Sequence, residues 1–418
     1  MTPKSLAPPY ADDDRLPDEE RVFLERARAL VPILAERAPA AAAARRLSPE
    51  TIADFHAAGI LRILQPRRFG GIEGRFSIFS RVVEELSYGC GSAGWVYAVL
   101  AEHQWIIAAY PEAAQIDVWG EDSAAVVASS LAPRAAASRV AGGWRLSGRY
   151  SFSSGCDYAQ WAIIGAFLGE MGDPRSIAYL LVPFAEIEIA DDWRVLGLAG
   201  TGSKSLVLRD VFVPEHRAVM LADLYAGTAP GALVHPQYPV VRAPRGYLVA
   251  YSLTPVAIAL ARRGLDIACR TLAGRVSRGV TRLKDSEAVQ MAVGEAAAAI
   301  EAATLLLYAG RRATTEAVSS GRHIAEAEAL GSRRDMVFAQ HQAAWALDRL
   351  CEAAGARWVY DDDPLGMIRR DVATIVTHHA ASRQAAYAAC GRALLYAAQE
   401  KQNSARNPTG GTKNDDRR

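Results

Sequence analysis

The chain has 418 residues, half of them hydrophobic and 22% charged, with a mean hydropathy of +0.02, the profile of a globular protein able to build a large core. Lys and Arg (47) nearly cancel Asp and Glu (46), which argues against nucleic acid or an anionic membrane as partner. Five cysteines without a CxxC pair fit reduced thiols in a cytoplasm, and the opening MTPKSLAPPYADDD has no export signal. The longest apolar run, 296–307, is broken by Glu301 and falls short of the ~20 residues of a membrane span.

Residues 1–16, rich in Pro and Asp, read as disordered, and so does the polar tail 401–418. Between them a helical domain is expected over 17–120. Val22, Leu24, Ala27, Leu30, Val31 and Leu34 recur at helical spacing, and Ser48-Pro49-Glu50 is an N-cap followed by a first-turn proline. A helix through 82–86 stops at Gly89, and Ser92 is positioned to cap the next, which carries Trp95, Val99 and His103 on one stripe. The period then changes. Over 121–221, short alternating or β-branched runs separated by Gly-Gly, Gly-Asp-Pro and Asp-Asp predict a compact antiparallel β barrel or sandwich. A Gly-, Pro- and Ala-rich connection, 222–244, leads to 245–400, where long helical patterns after Pro255, from 285, from 325 and from Pro364 predict a four-helix bundle.

The order is helices, β domain, long-helix bundle. With Leu64-Gln-Pro-x-x-Phe-Gly-Gly71, Glu84-Glu-Leu-Ser-x-Gly-Cys-Gly-Ser-Ala-Gly-Trp95, Val118-Trp-Gly-Glu121, Leu146-Ser-Gly-Arg-Tyr-Ser-Phe-Ser-Ser-Gly-Cys-Asp157, Leu196-Gly-Leu-x-Gly-Thr-Gly-Ser203, Val211-Phe-Val-Pro-Glu215 and Arg369-Arg-Asp371 before His378-His379, it resembles the acyl-CoA dehydrogenase superfold. Within that fold it is most similar to the flavin-dependent monooxygenases: oxygenase components of two-component phenol hydroxylases, desulfurising monooxygenases and amino-sugar N-oxygenases. The resemblance covers about residues 20–400 and implies a fold that is mainly α with a central β domain.

It also implies roles, residue by residue. Aligning Phe152 with the family's aromatic puts Ser154 at flavin N5, with Ser153 beside it; alone, Ser-Ser-Gly is ordinary turn chemistry. Ser129 and Ser130 fall on the first flavin-lining strand, where alternation lets only one face the cofactor, and Ser129 would also meet the substrate hydroxyl; otherwise they are strand-end serines. Trp95 would wall an aromatic pocket and His103 would accept a phenolic proton, the plain alternative being a lone helical histidine. His378 and His379 stand where a dehydrogenase has its catalytic glutamate, and 375–382 holds no carboxylate. One of the pair is expected to face the flavin from the last helix, His378 being favoured by its seven-residue spacing from Asp371. Arg275 matches an arginine that reaches the flavin phosphates of a neighbouring subunit, although Arg278 stands where an aromatic is usual. Gly355 and Trp358 sit in the place of a Gly-rich flavin loop, and Trp193 near the flavin and substrate entrance.

No GxGxxG follows a strand and opens a helix, so electrons would come from a separate NAD(P)H:flavin reductase; no spacing suits a metal. The expectation is a cytoplasmic, homotetrameric oxygenase. It would use reduced FMN or FAD and O₂, through a C4a-hydroperoxyflavin, to hydroxylate a small organic substrate, foremost a phenol. Amino-sugar or other heteroatom oxygenation is the rival, an acyl-CoA dehydrogenase is disfavoured by the missing glutamate, and a flavin-free scaffold is the reading from another class.

Overall fold

A computed structural model of the protein describes residues 16–277 and 281–406. In α1 (Asp18–Ala44), Asp18, Glu19 and Glu20 in the first turn complement the helix dipole, and Phe23, Leu24, Ala27 and Leu34 turn inward. Leu16, expected in a disordered start, is already buried. Ser48 accepts the Thr51 N–H at 3.3 Å and opens α2 (Pro49–Ala57). Next come α3 (Phe76–Gly89), α4 (Gly91–Ala108) and α5 (Glu112–Trp119).

Every residue of α4 except Val99 is buried, so this helix lies at the centre of the molecule and its polar residues must find partners inside. It starts one residue before the expected Ser92 cap. Cys90 occupies the cap position without a side-chain bond, and the Asp371 carboxylate stands against the first turn; a Cβ on Gly91 would lie 3.1 Å from its Oδ2.

The β region forms two four-stranded sheets. One orders β1 (Val127–Ser130), β4 (Trp161–Phe167), β5 (Ile177–Pro183) and β8 (Ala218–Met220). The other orders β2 (Ser138–Val140), β3 (Gly143–Ser153), β7 (Lys204–Pro214) and β6 (Glu188–Ala190). Pairing is antiparallel as expected, with one correction: β1 and β4 run parallel, Val127 opposite Trp161. The chain leaves β1 for the β2–β3 hairpin in the other sheet before returning, which is the crossover a parallel pair requires.

After α6 (Leu221–Ala226), α7 (Gly231–Val234) and α8 (Arg245–Leu248) come α9 (Ala250–Gly274), the short β9 (Val276–Ser277) and β10 (Thr281–Arg282), α10 (Glu287–Ser319), α11 (Glu326–Ala354), α12 (Pro364–Ile375) and α13 (Arg383–Arg406). α9 begins ahead of Pro255 because Ser80 Oγ donates to Tyr251 O at 2.9 Å, occupying the carbonyl a proline cannot serve. By length and composition alone α10 is long and apolar enough to cross a membrane, Glu301 notwithstanding, but its Ala296, Ile300, Ala303 and Leu307 are buried in the bundle core.

Two expectations change at the C-terminal end. The helix from Pro364 stops at Ile375, so His378 and His379 lie in a break before α13, His378 capping a single 3-10 turn, His379–Ala381, rather than on the long helix. α13 runs on to Arg406, into the tail expected to be disordered. Residues 1–15 and 407–418, and Arg278, lie outside the described residues.

Candidate active site

β3 ends in an irregularity. Its register against β7 shifts between Tyr150 and Ser153, and Phe152 adopts φ +67°, a left-handed conformation uncommon for a non-glycine residue. The kink exposes Phe152 (66%), edge-on to Trp193 with ring centroids 6.1 Å apart, and turns Ser153 and Ser154 inward. Trp193, itself buried, donates to Ala199 O at 3.1 Å. Ser153 Oγ is enclosed with no hydrogen-bond partner.

Ser154 is buried and connected. Trp95 Nε1 donates to its Oγ at 3.0 Å, its Oγ lies 2.7 Å from Ser203 Oγ, and Ser203 Oγ lies 2.7 Å from Thr201 Oγ1. The other face of Trp95 reaches His378, the two rings edge-to-face at 5.4 Å. The β-domain serine and the histidine of the α12–α13 break are thus joined through one indole. Asp371 Oδ1 accepts the Leu198 N–H at 2.6 Å, tying the loop that carries Thr201 and Ser203 to α12.

His103 Nδ1 lies 2.6 Å from Val127 O, and a carbonyl only accepts, so Nδ1 carries the proton. Nε2 is then an acceptor for Ser129 Oγ–H at 3.1 Å. Burial pushes the His103 pKa down to about 4, against the bond to Val127 and with help from the Arg245 charge. His378 has the opposite polarity. Its Nδ1 accepts the Ala380 N–H at 3.3 Å, which leaves the proton on Nε2. Burial, then His379 and Arg245, hold its pKa down to about 3, so both imidazoles are neutral at physiological pH. His379 stacks on His378 at 4.2 Å but presents its ring to the surface; its pKa is lowered by burial, Arg245 and Arg333, a shift that solvent screens.

Arg245 is the charge common to these shifts, and no motif or spacing points to it. It is buried 3.8 Å from Glu102 and packs over Tyr179. Burial pushes the Glu102 carboxyl up against the pull of Arg245. Burial would also lower Arg245, but Tyr179, Glu102 and Tyr225 outweigh it and keep it protonated.

Of the anticipated residues, the structure brings together Trp95, Ser154 and His378 in one group and His103 and Ser129 in another, about 12 Å further along α4 from Trp95. Ser130 points the other way along β1 and donates to Ser151 O at 2.7 Å, a bond internal to the β domain. Arg275, Gly355 and Trp358 form a separate group: Arg275 donates to Ala354 O beside Gly355, and Trp358 packs under Arg369 and against Gly366 at the start of α12. Twelve residues of α12, about 18 Å of helix, stand between that group and the break holding His378. Thr201 and Ser203 were visible only as part of a Gly-Thr-Gly-Ser turn.

Residues 17–125 match the acyl-CoA dehydrogenase N-terminal domain and residues 251–383 the acyl-CoA dehydrogenase C-terminal domain. The FADH(2)-dependent resorcinol hydroxylase, oxygenase component, of Rhizobium sp. (strain MTP-10005) is 35% identical over 84% of this chain and 88% of its own. The chain belongs to the flavin-dependent monooxygenases of the acyl-CoA dehydrogenase fold. The 3-HSA hydroxylase from Rhodococcus sp. RHA1 superposes on this monooxygenase with a TM-score of 0.84 at 31% identity, over 89% of this chain and 96% of that one. XiaF from Streptomyces sp., solved with FADH2 and glycerol, superposes with a TM-score of 0.81 at 25% identity, over 90% and 96%. This monooxygenase also lacks, over 375–382, any carboxylate that would serve dehydrogenation of a thioester.

Proposed function

We propose that this monooxygenase hydroxylates a small phenol, taking reduced FMN or FAD from a separate NAD(P)H:flavin reductase. The observation that carries the reading is the pair of neutral imidazoles of opposite polarity: His103, whose unprotonated Nε2 meets Ser129 Oγ, and His378, whose Nε2 keeps its proton and whose ring is edge-on to the Trp95 that bonds Ser154. The residues fit a flavin. Ser153 Oγ, next in sequence to Ser154, is buried with no hydrogen-bond partner, and Phe152 before it is an exposed aromatic side chain (66%), an unsatisfied hydroxyl and an apolar ring suited to a flat cofactor with polar edges.

Reduced flavin, when bound, supplies the electrons that activate O₂ and the carrier for the oxygen atom transferred. The protein supplies position and protons. With flavin bound, Ser154 would meet its N5 edge. His103 Nε2 accepts the phenolic proton, Ser129 giving up its bond or sharing it, and the phenolate pushes electron density into the ring position to be oxygenated. With flavin bound, the Nε2–H of His378 would be available to its oxygen side, a hydrogen bond without an added charge. Trp95 walls the site beside His378 and Ser154 and shields them from water. Arg275, Gly355 and Trp358 are assigned to the flavin's far end, where a second subunit of a homotetramer completes the site, and Trp193 to the entrance. Phenols are preferred over amino sugars because the relatives named above include a resorcinol hydroxylase. The cytoplasm, with its reductants, is the compartment assigned.

The test combines purified protein, chemically reduced FMN or FAD and resorcinol in aerated buffer. A dihydroxylated ring gaining one further oxygen, in step with flavin oxidised, is the expected result. Flavin oxidation at the free rate, with peroxide as the sole product across a panel of phenols, refutes it.

A further inference from the structure

The hydroxyls behind Ser154 form a chain whose direction is fixed at one end. Thr201 Oγ1 lies 2.8 Å from Leu198 O, and a carbonyl cannot donate, so the single Thr201 proton is spent there. Ser203 must then donate to Thr201 across 2.7 Å, which spends its proton. Ser154 must in turn donate to Ser203 across 2.7 Å. Trp95 Nε1, a donor only, takes one Ser154 lone pair at 3.0 Å. Ser154 Oγ is left with no proton to give and one lone pair to offer. The anchor of the chain is itself held: Leu198 sits at φ +54°, its N–H bonded to the half-buried Asp371 carboxylate, and Gly155 N–H bonds Thr201 O at 3.2 Å.

We infer that Thr201 and Ser203 are positioning residues that make Ser154 a pure hydrogen-bond acceptor, so that the site selects reduced over oxidised flavin. Reduced isoalloxazine carries a hydrogen on N5 and donates it. In oxidised isoalloxazine N5 is a bare nitrogen that only accepts, and it would face a Ser154 lone pair with nothing between them. The same contact therefore stabilises one redox state and opposes the other, which lets the spent cofactor leave for the reductase. This rests on the placement of Ser154 at N5 in the proposed function.

Equilibrium binding separates the two ideas. Dissociation constants for dithionite-reduced FMN and FAD, without oxygen, and for the oxidised flavins are measured by flavin fluorescence or ultrafiltration on wild type, Ser154→Ala, Ser203→Ala, Thr201→Val and Ser203→Thr. Ser203→Ala frees the Ser154 proton; Thr201→Val leaves Ser203 free to donate back to Ser154. Both should lower the preference for reduced flavin roughly three- to tenfold, the worth of one hydrogen bond. Ser203→Thr, which restores a hydroxyl, should keep the wild-type preference. If Ser154→Ala weakens reduced-flavin binding while Ser203→Ala and Thr201→Val leave the preference unchanged, the relay is overturned and the N5 placement stands. If Ser154→Ala leaves reduced-flavin binding unchanged, both fail. A thermal unfolding curve on each variant keeps a folding defect from passing as lost selectivity.

Discussion

The two histidines of this site are held in opposite ways. His103 projects from an eighteen-residue helix, is 3% exposed, and is fixed at both nitrogens by Val127 and Ser129 of β1. His378 stands in a break between α12 and α13, half-buried, with one backbone bond at Nδ1 and two aromatic neighbours. A helix and a strand packed together give a group that can receive a proton at a defined point. A break gives a group that can follow a ligand by rotating a few dihedrals, at the cost of less restraint. The contrast is in keeping with the roles proposed above, His103 on the substrate side and His378 on the oxygen side.

The sharpest way to break this contrast is His103→Ala. Product formation should fall ~10²–10⁴-fold, the span of general-base catalysis, with reduced-flavin affinity retained; a loss smaller than tenfold removes His103 from the substrate side. His378→Ala should act differently, lowering product per flavin oxidised by roughly tenfold while peroxide rises to balance it. His379→Ala, whose ring is exposed, should leave coupling intact, and equal effects from the two would undo the choice of His378.

Acid stability sharpens it further. His103 and His378 titrate near 6.5 when unfolded, but folding holds them at about 4 and about 3. Between those values the unfolded chain binds more protons, so stability is full above pH 6.5 and is lost as pH falls toward 4. Asp371 opposes this. Burial raises it to about 6, against the Leu198 N–H and Arg370, so the folded state binds the extra proton between its ordinary 3.8 and 6. Melting temperature should therefore drop below pH 6.5, less steeply in His103→Gln and more steeply in Asp371→Asn; parallel profiles for all three would contradict the assignment. The smallest effect belongs to Ser130→Ala, which should cost about 1 kcal/mol of stability and leave hydroxylation unchanged, whereas Ser129→Ala should alter substrate affinity.

How much of this was legible in the chain depends on the distance over which each feature is decided. The change from helical period to alternation and back gave the order of helices, sheets and bundle, because periodicity is local. Ser154, His103 and Trp95 were singled out as candidates by the family resemblance, since alone they read as turn or helix residues. The parallel β1–β4 pair was not, since it depends on a crossover through the other sheet. Nor was the break after Ile375, where the helical pattern continues in sequence but the backbone turns out to place His378 against Trp95.

The sequence by itself determined the kind of side chains available: hydroxyls after Phe152, imidazoles at 103, 378 and 379, and no carboxylate over 375–382. Only the tertiary structure decided which way their protons point. Val127 O, Ala380 N–H and Leu198 O set the tautomers of His103 and His378 and the direction of the Ser154 chain. Buried Arg245, from a stretch without a motif, helps to hold both imidazoles neutral. A hydroxyl or imidazole can donate or accept, and which it does is fixed by neighbours that folding brings from elsewhere in the chain.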